Sequence, residues 1–157
     1  MRRNSPFERA SEFRPDDPIA RLIVHYFHPC DFVFRDYKRV ARALARQKQL
    51  TKWRASQEIS YLRLWLAMLY AVGEGFVELG LNDPEVNALL QNPALERLRK
   101  LRNGTFHYQR SHEKLTQFFL QSGHIEWAET LHSAFDNFFR EYRIEQTVKN
   151  LMMKPPT

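Results

Sequence analysis

The chain carries one cysteine, Cys30, and only 5 glycines in 157 residues. A lone thiol has no internal partner, which excludes an internally disulfide-stapled domain and fits a reducing, cytoplasmic compartment. Scarce glycine counts against a fold built from many tight hairpin turns. Long apolar runs are missing too. The most apolar stretch, Leu64 to Val72, falls far short of the roughly 20 residues that a helix needs to cross a bilayer. The opening residues MRRNSPFERASEFRPDD have basic side chains but no apolar segment, unlike a secretory leader. Glu8, Glu12, Asp16 and Asp17 do not suit a mitochondrial presequence either. A soluble protein with no membrane partner is expected.

What the chain does have is apolar and aromatic mass. Hydrophobic residues make up 43% and aromatic residues 13%, enough for one packed domain. The formal charge of +6 favours polyanions such as nucleic acid or acidic membranes, and proves neither.

Apolar spacing is helical throughout, and no repeat, low-complexity tract or clear strand stands out. Residues 1–16 read as a mobile arm, 17–152 as a single helical domain, and 153–157 as a tail closed by Pro155-Pro156. Asp17-Pro18 marks a helix start, with an acceptor at the N-cap and proline in the first turn. That helix is predicted to end at His28-Pro29, and a second to run from about Phe32 to Gln49. Ser56 is predicted to cap the longest helix, about Gln57 to Leu79, with Gly80 ending it. Its middle is apolar nearly all round, which places it at the centre of the fold. Asp83-Pro84 and Asn92-Pro93 start two more helices, and Ser111 a short one ending near Ser122-Gly123. The last, about Ile125 to Met152, aligns Trp127, Leu131, Phe135, Phe138 and Tyr142. The expected fold is all-α: an antiparallel bundle of about five main helices plus short ones.

Within this scaffold, Leu98 to Gln109 (LRKLRNGTFHYQ) is where chemistry competes with packing. If the helix reaches 107, Asn103 and His107 lie four apart on one face, with Arg102 about 100° round. Arginine offers a fixed fork of donors to phosphate oxygens, and imidazole can give or take a proton near neutrality. Asparagine can hold the imidazole tautomer or donate to an oxyanion. The same residues also fit a plain helix end: Asn103-Gly104 as the C-cap, Arg102 complementing the helix dipole, His107 in the loop.

The run RNGTFH resembles the R-N-x-x-x-H signature of the HEPN superfamily. Those proteins are small α-helical bundles, many of them metal-independent endoribonucleases in toxin–antitoxin, abortive-infection and CRISPR-linked defence. The resemblance covers 102–107 in sequence and about 18–150 in architecture. It implies Arg102, Asn103 and His107 as catalytic residues, no metal or other cofactor, RNA as substrate, a possible antitoxin partner, and a homodimer whose two motifs face one cleft. The implied reaction is attack of an RNA 2′-hydroxyl on the adjacent phosphate, with His107 moving the proton and Arg102 stabilising the phosphorane. One branch of the family has a tyrosine two places after the histidine, which its antitoxin nucleotidylates. This chain has Gln109 there and Tyr108 one place earlier, so it departs from that branch and leaves Tyr108 a secondary candidate.

Other constellations carry less. Arg35, Lys38, Arg39, Arg42 and Arg46 form a basic stripe that, with Arg99 beside the motif, can track a nucleic-acid backbone or simply face solvent. Glu74, between Gly73 and Gly75, either lines a cleft or marks where the central helix returns to solvent. Glu129 and His132 make one Glu-x-x-His pair, but a di-iron bundle needs two. His25 and His28 have no acidic or cysteine partner evident in sequence, so no metal site is expected. Cys30 lies in no nucleophile motif. The runner-up to a nuclease is a non-catalytic helical module that binds RNA or protein.

Overall fold

The computed structural model describes residues 17–46, 51–108, 110–111 and 116–152, with the backbone alone for 144 and 146–152. The expected arm 1–16, the tail and the helix start after Ser111 lie outside the described residues. Those described form an all-α bundle, without a strand among them.

The chain enters through α1 (Pro18–Leu22), where Asp17 Oδ1 accepts from the backbone N–H of Ile19 at 2.8 Å. The predicted break at His28-Pro29 does not occur. A π-helical turn, Ile23–Phe27, carries the chain directly into α2 (His28–Ala45). Pro29 has no N–H for a carbonyl four residues back, and its ring would crowd that carbonyl. The widened turn avoids the conflict, and the His28 N–H reaches five residues back to the Ile23 carbonyl.

The central helix, α3 (Lys52–Glu78), starts earlier than predicted. Thr51, not Ser56, is its cap, with Oγ1 accepting from Arg54 N at 3.3 Å. Ser56 sits within the helix, where its carbonyl accepts from the Ser60 hydroxyl at 2.7 Å. The C-terminus ends as glycine allows: Gly80 takes φ +62°, Leu81 N–H bonds the Phe76 carbonyl, and Gly80 N–H bonds the Val77 carbonyl. The α4 helix (Pro84–Leu90) is capped by Asp83, which accepts from Val86 N at 2.9 Å. Asn92 Oδ1 accepts from Ala94 N at 2.8 Å as α5 (Ala94–Phe106) begins. The last helix, α6, spans His124–Met152.

Burial follows from these faces. Trp65, Leu66, Leu69, Val72 and Phe76 of α3 are buried, with Leu98 and Leu101 of α5 and Leu131, Phe135 and Phe139 of α6. The α3 helix packs most extensively on α2 and α5. A polar side chain lies inside. His132 is only 3% exposed; its Nδ1 accepts from Trp65 Nε1 at 3.2 Å and its Nε2 faces Asp31 Oδ1 at 3.2 Å. Indole N–H is a donor only, so the imidazole proton is on Nε2 and is given to Asp31.

Two glycines shape the surface of α3. A Cβ on Gly75 would stand 2.4 Å from Leu22 Cδ1, and one on Gly73 would stand 3.3 Å from Leu90 Cδ2. Their missing side chains let α1 close on one flank of α3 and α4 on the other. Glu74 is left standing between them.

Candidate functional site

The motif helix α5 runs through Asn103-Gly104 without ending there. Gly104 is buried and helical, so the C-cap alternative for Asn103-Gly104 is overturned. The helix stops at Phe106 instead, after two weak helix formers, Gly104 and Thr105. His107 takes extended dihedrals (φ −123°, ψ 137°), while its N–H still donates to the Asn103 carbonyl at 3.0 Å. The argument that Asn103 and His107 share a helical face therefore does not extend to the His107 side chain, which leaves the helix direction and is exposed.

Arg102 is the best-defined member. Its Nη1 donates to Asn103 Oδ1 at 2.9 Å and its Nη2 to Glu74 Oε2 at 3.0 Å. The guanidinium also lies over the Tyr70 ring, 5.6 Å from its centroid. One planar fork thus orients the neighbouring amide and is itself held by α3. Burial, and then the Glu74 carboxylate, push the Tyr70 phenol above its ordinary pKa. The ion pair is about two-fifths exposed, so screening by water keeps its contribution to stability within about 1 kcal/mol. Its effect is to fix a direction.

That direction is towards a cleft of about 540 Å³. One wall is a row at helical spacing on α1 and the π turn: Pro18, Arg21, Leu22, His25 and Tyr26. The facing row is Ala71, Glu74, Gly75 and Glu78 of α3 with Leu79 at its C-cap, and Arg102 joins from α5. Leu22 seated on Gly75 brings the two rows together. The volume suits a small ligand or one nucleotide unit. His107 is not among the lining residues. At the other end of the motif, Phe106 and Tyr108 flank His107 and are 57% and 93% exposed.

The structure thus brings together Arg102, Asn103 and Glu74, and sets His107 and Tyr108 at the exposed helix end. Arg21, His25, Tyr26 and Glu78 were not singled out from sequence as members of this cleft. The signal for the first three was the i, i+3, i+4 pattern 18, 21, 22, 25, 26, which mixes charged, polar and aromatic residues and so does not stand out as an apolar period.

The basic stripe is largely matched by acids. Arg35 pairs with Asp31 at 2.6 Å, Lys38 with Glu129 at 2.8 Å and Arg39 with Asp36 at 2.8 Å. Arg99 makes a two-pronged contact with Glu96 at 2.8 and 2.7 Å. Arg42 and Arg46 are exposed, with no ion-pair partner among the described residues.

The Glu129–His132 pair is divided between partners, Lys38 for the carboxylate and Trp65 with Asp31 for the imidazole. Among the described residues no group of three or more histidine, cysteine or acidic side chains gathers as metal ligands. His28 Nε2 accepts from Arg143 at 2.9 Å, and burial followed by that charge lowers the His28 pKa. Cys30 is buried, and burial followed by Asp31 pushes its thiol up, away from the reactive thiolate. No helix among the described residues is long and apolar enough to cross a membrane.

No protein-family model, curated protein or solved structure matches the chain.

Proposed function

We propose that this chain is an HEPN-like, metal-independent endoribonuclease that acts as a homodimer, with a toxin or defence role and an antitoxin as partner. The observation that carries the reading is the state of the motif: Arg102 is held by Glu74 and Asn103 at the edge of a cleft, with an exposed His107 at the end of the same helix. In this reading Arg102 and Asn103 stabilise the charge that builds on the phosphorane oxygens. His107 moves a proton, and its exposure leaves room for a second copy of the motif to approach. Exposed Phe106 and Tyr108 offer faces on which unpaired bases can stack.

The test is cleavage of mixed single-stranded RNA in the presence of EDTA, comparing the natural protein with His107→Ala and Arg102→Ala. The expected result is cleavage to cyclic phosphate and 5′-hydroxyl ends by the natural protein alone. Equal cleavage by all three, or none by any at high protein concentration, would sink the reading. A second reading, a non-catalytic RNA-binding module, draws on the exposed Arg42 and Arg46. It requires salt-sensitive RNA binding that survives His107→Ala.

A further inference from the structure

We infer that the cleft beside Arg102 binds a guanine nucleotide, with Arg21 and Glu78 reading the two edges of the base. Both residues line the cleft, both are exposed, and neither has an ion-pair partner among the described residues. Glu74 differs, because Arg102 already holds its carboxylate at 3.0 Å. An unpaired arginine fork is matched by two adjacent acceptors, and an unpaired carboxylate by two adjacent donors. Guanine offers both: O6 and N7 to the fork, N1–H and the N2 amino group to the carboxylate. Adenine carries an amino group in place of O6 and a bare acceptor at N1, so it meets Arg21 donor to donor and Glu78 acceptor to acceptor. The pyrimidines present no two donor atoms side by side.

The fold sets these two groups at one end of the cleft. Leu22 meets Gly75 and Phe34 meets Trp65, so the continuous helix through α1 and α2 runs antiparallel to α3. With Leu22 opposite Gly75, that register brings Pro18 and Arg21 towards Glu78 and Leu79, and carries His25 towards Ala71. Pro18 and the partly exposed Leu79 supply apolar surface for the faces of the base. His25 lies one turn beyond Arg21, about 6 Å along the axis. The ribose then occupies the middle of the cleft, and the phosphate lies against His25 and Arg102, whose guanidinium is a fork for its oxygens. The volume of about 540 Å³ admits one such unit. Guanine binding does not depend on cleavage; where the chain cleaves RNA, the cleft selects the nucleotide held beside Arg102.

The test titrates the full chain with 5′-GMP, 5′-IMP and 5′-AMP, followed by isothermal calorimetry. GMP is expected to bind about 100-fold tighter than AMP, roughly tenfold for each two-pronged contact. IMP, which lacks only the N2 amino group, should bind about tenfold more weakly than GMP. Glu78→Gln should bring GMP down to the level of IMP and leave IMP nearly unchanged, since the amide oxygen still accepts from N1–H. Arg21→Gln should weaken GMP and IMP alike. Circular dichroism should show both variants folded, as both side chains are exposed. A 2′-O-methyl oligoadenylate with one central guanosine, set against inosine or adenosine at that place, separates the two sources of the base. A preference among these oligonucleotides identifies RNA, and a preference among the mononucleotides alone identifies a free nucleotide. No guanine preference in either arm overturns the assignment, as does a preference that Glu78→Gln leaves intact. The 2′-O-methyl group blocks cleavage, so these results and the nuclease reading stand or fall separately.

Discussion

Trp65 on α3 and His132 on α6 share one hydrogen bond inside the bundle, and its direction fixes the charge state of the histidine. The indole N–H donates to Nδ1 at 3.2 Å. A protonated imidazole would present N–H there as well, donor against donor. Burial lowers the His132 pKa, and the hydrogen bond to Asp31 offsets this only in part. A histidine whose pKa is lower folded than unfolded contributes stability that is complete above the unfolded value, near 6.5. That stability is lost as pH falls from there through the lower folded value. Urea denaturation at pH 7.5 and 5.5 is therefore expected to show the natural protein less stable at the lower pH. His132→Leu should lose about 1–3 kcal/mol at pH 7.5, from the orphaned Trp65 N–H, and show a smaller further loss at pH 5.5. An unchanged pH dependence in the variant would assign the effect elsewhere, with His28, whose pKa is also lowered, the next to test.

The glycines beside Glu74 make opposite predictions. An alanine Cβ at 75 would meet Leu22 Cδ1 at 2.4 Å, so this buried leucine must move. Gly75→Ala is expected to destabilise by about 1–3 kcal/mol, less roughly 1 kcal/mol regained in helix propensity. Gly73→Ala meets Leu90 at 3.3 Å, and the propensity gain should leave it neutral or slightly stabilised. A double-mutant cycle pairing Gly75→Ala with Leu22→Ala checks the cause. If the clash is responsible, the second change costs less in the Gly75→Ala background than alone.

The sequence shows some of this arrangement and hides the rest for physical reasons. Asp17-Pro18, Asp83-Pro84 and Gly80 mark helix ends because each acts through its own neighbours, and all three ends are where they were expected. Pro29 misleads, since the π turn that accommodates it depends on packing over Phe27 and Ile23, both buried. Ser56 and Thr51 are both competent caps, and local chemistry alone does not choose between them. The His132 network joins residues 67 and 101 positions apart, and no local period reveals such partners. Within the candidate site, the glycines flanking Glu74 left two readings open in the sequence, a cleft residue or a helix face returning to solvent. The Glu74 bond to Arg102 and the placement of the 18–26 row against α3 required the tertiary fold.

Arg102 separates charge from geometry. Arg102→Lys keeps the positive charge, but a single ammonium lacks the planar fork that reaches Asn103 and Glu74 together. Under the nuclease reading, Arg102→Lys and Arg102→Ala should both lower kcat by about 10²–10³-fold. Thermal denaturation should change little, because the Glu74 pair is exposed to solvent and worth about 1 kcal/mol or less. Lysine restoring full cleavage would show that charge alone is needed and that the fork has no role.

The basic stripe of α2 divides in the same way between paired and unpaired charge. Arg35 and Arg39 already face Asp31 and Asp36, so an RNA phosphate must compete with a carboxylate for each. Arg42 and Arg46 are exposed with no ion-pair partner among the described residues, and each can displace a counterion on binding. For single-stranded RNA, log K falls with log salt by about 0.7 per phosphate contact. Replacing Arg42 and Arg46 together by Gln should therefore flatten the slope by about 1.4, if both touch phosphate. Replacing Arg35 and Arg39 should change it much less. Binding measured by fluorescence anisotropy from low to moderate salt gives both slopes. If the two double variants behave alike, the internal ion pairs do not shield the stripe. If neither changes the slope, RNA does not run along α2, and contact is confined to the cleft side of the bundle.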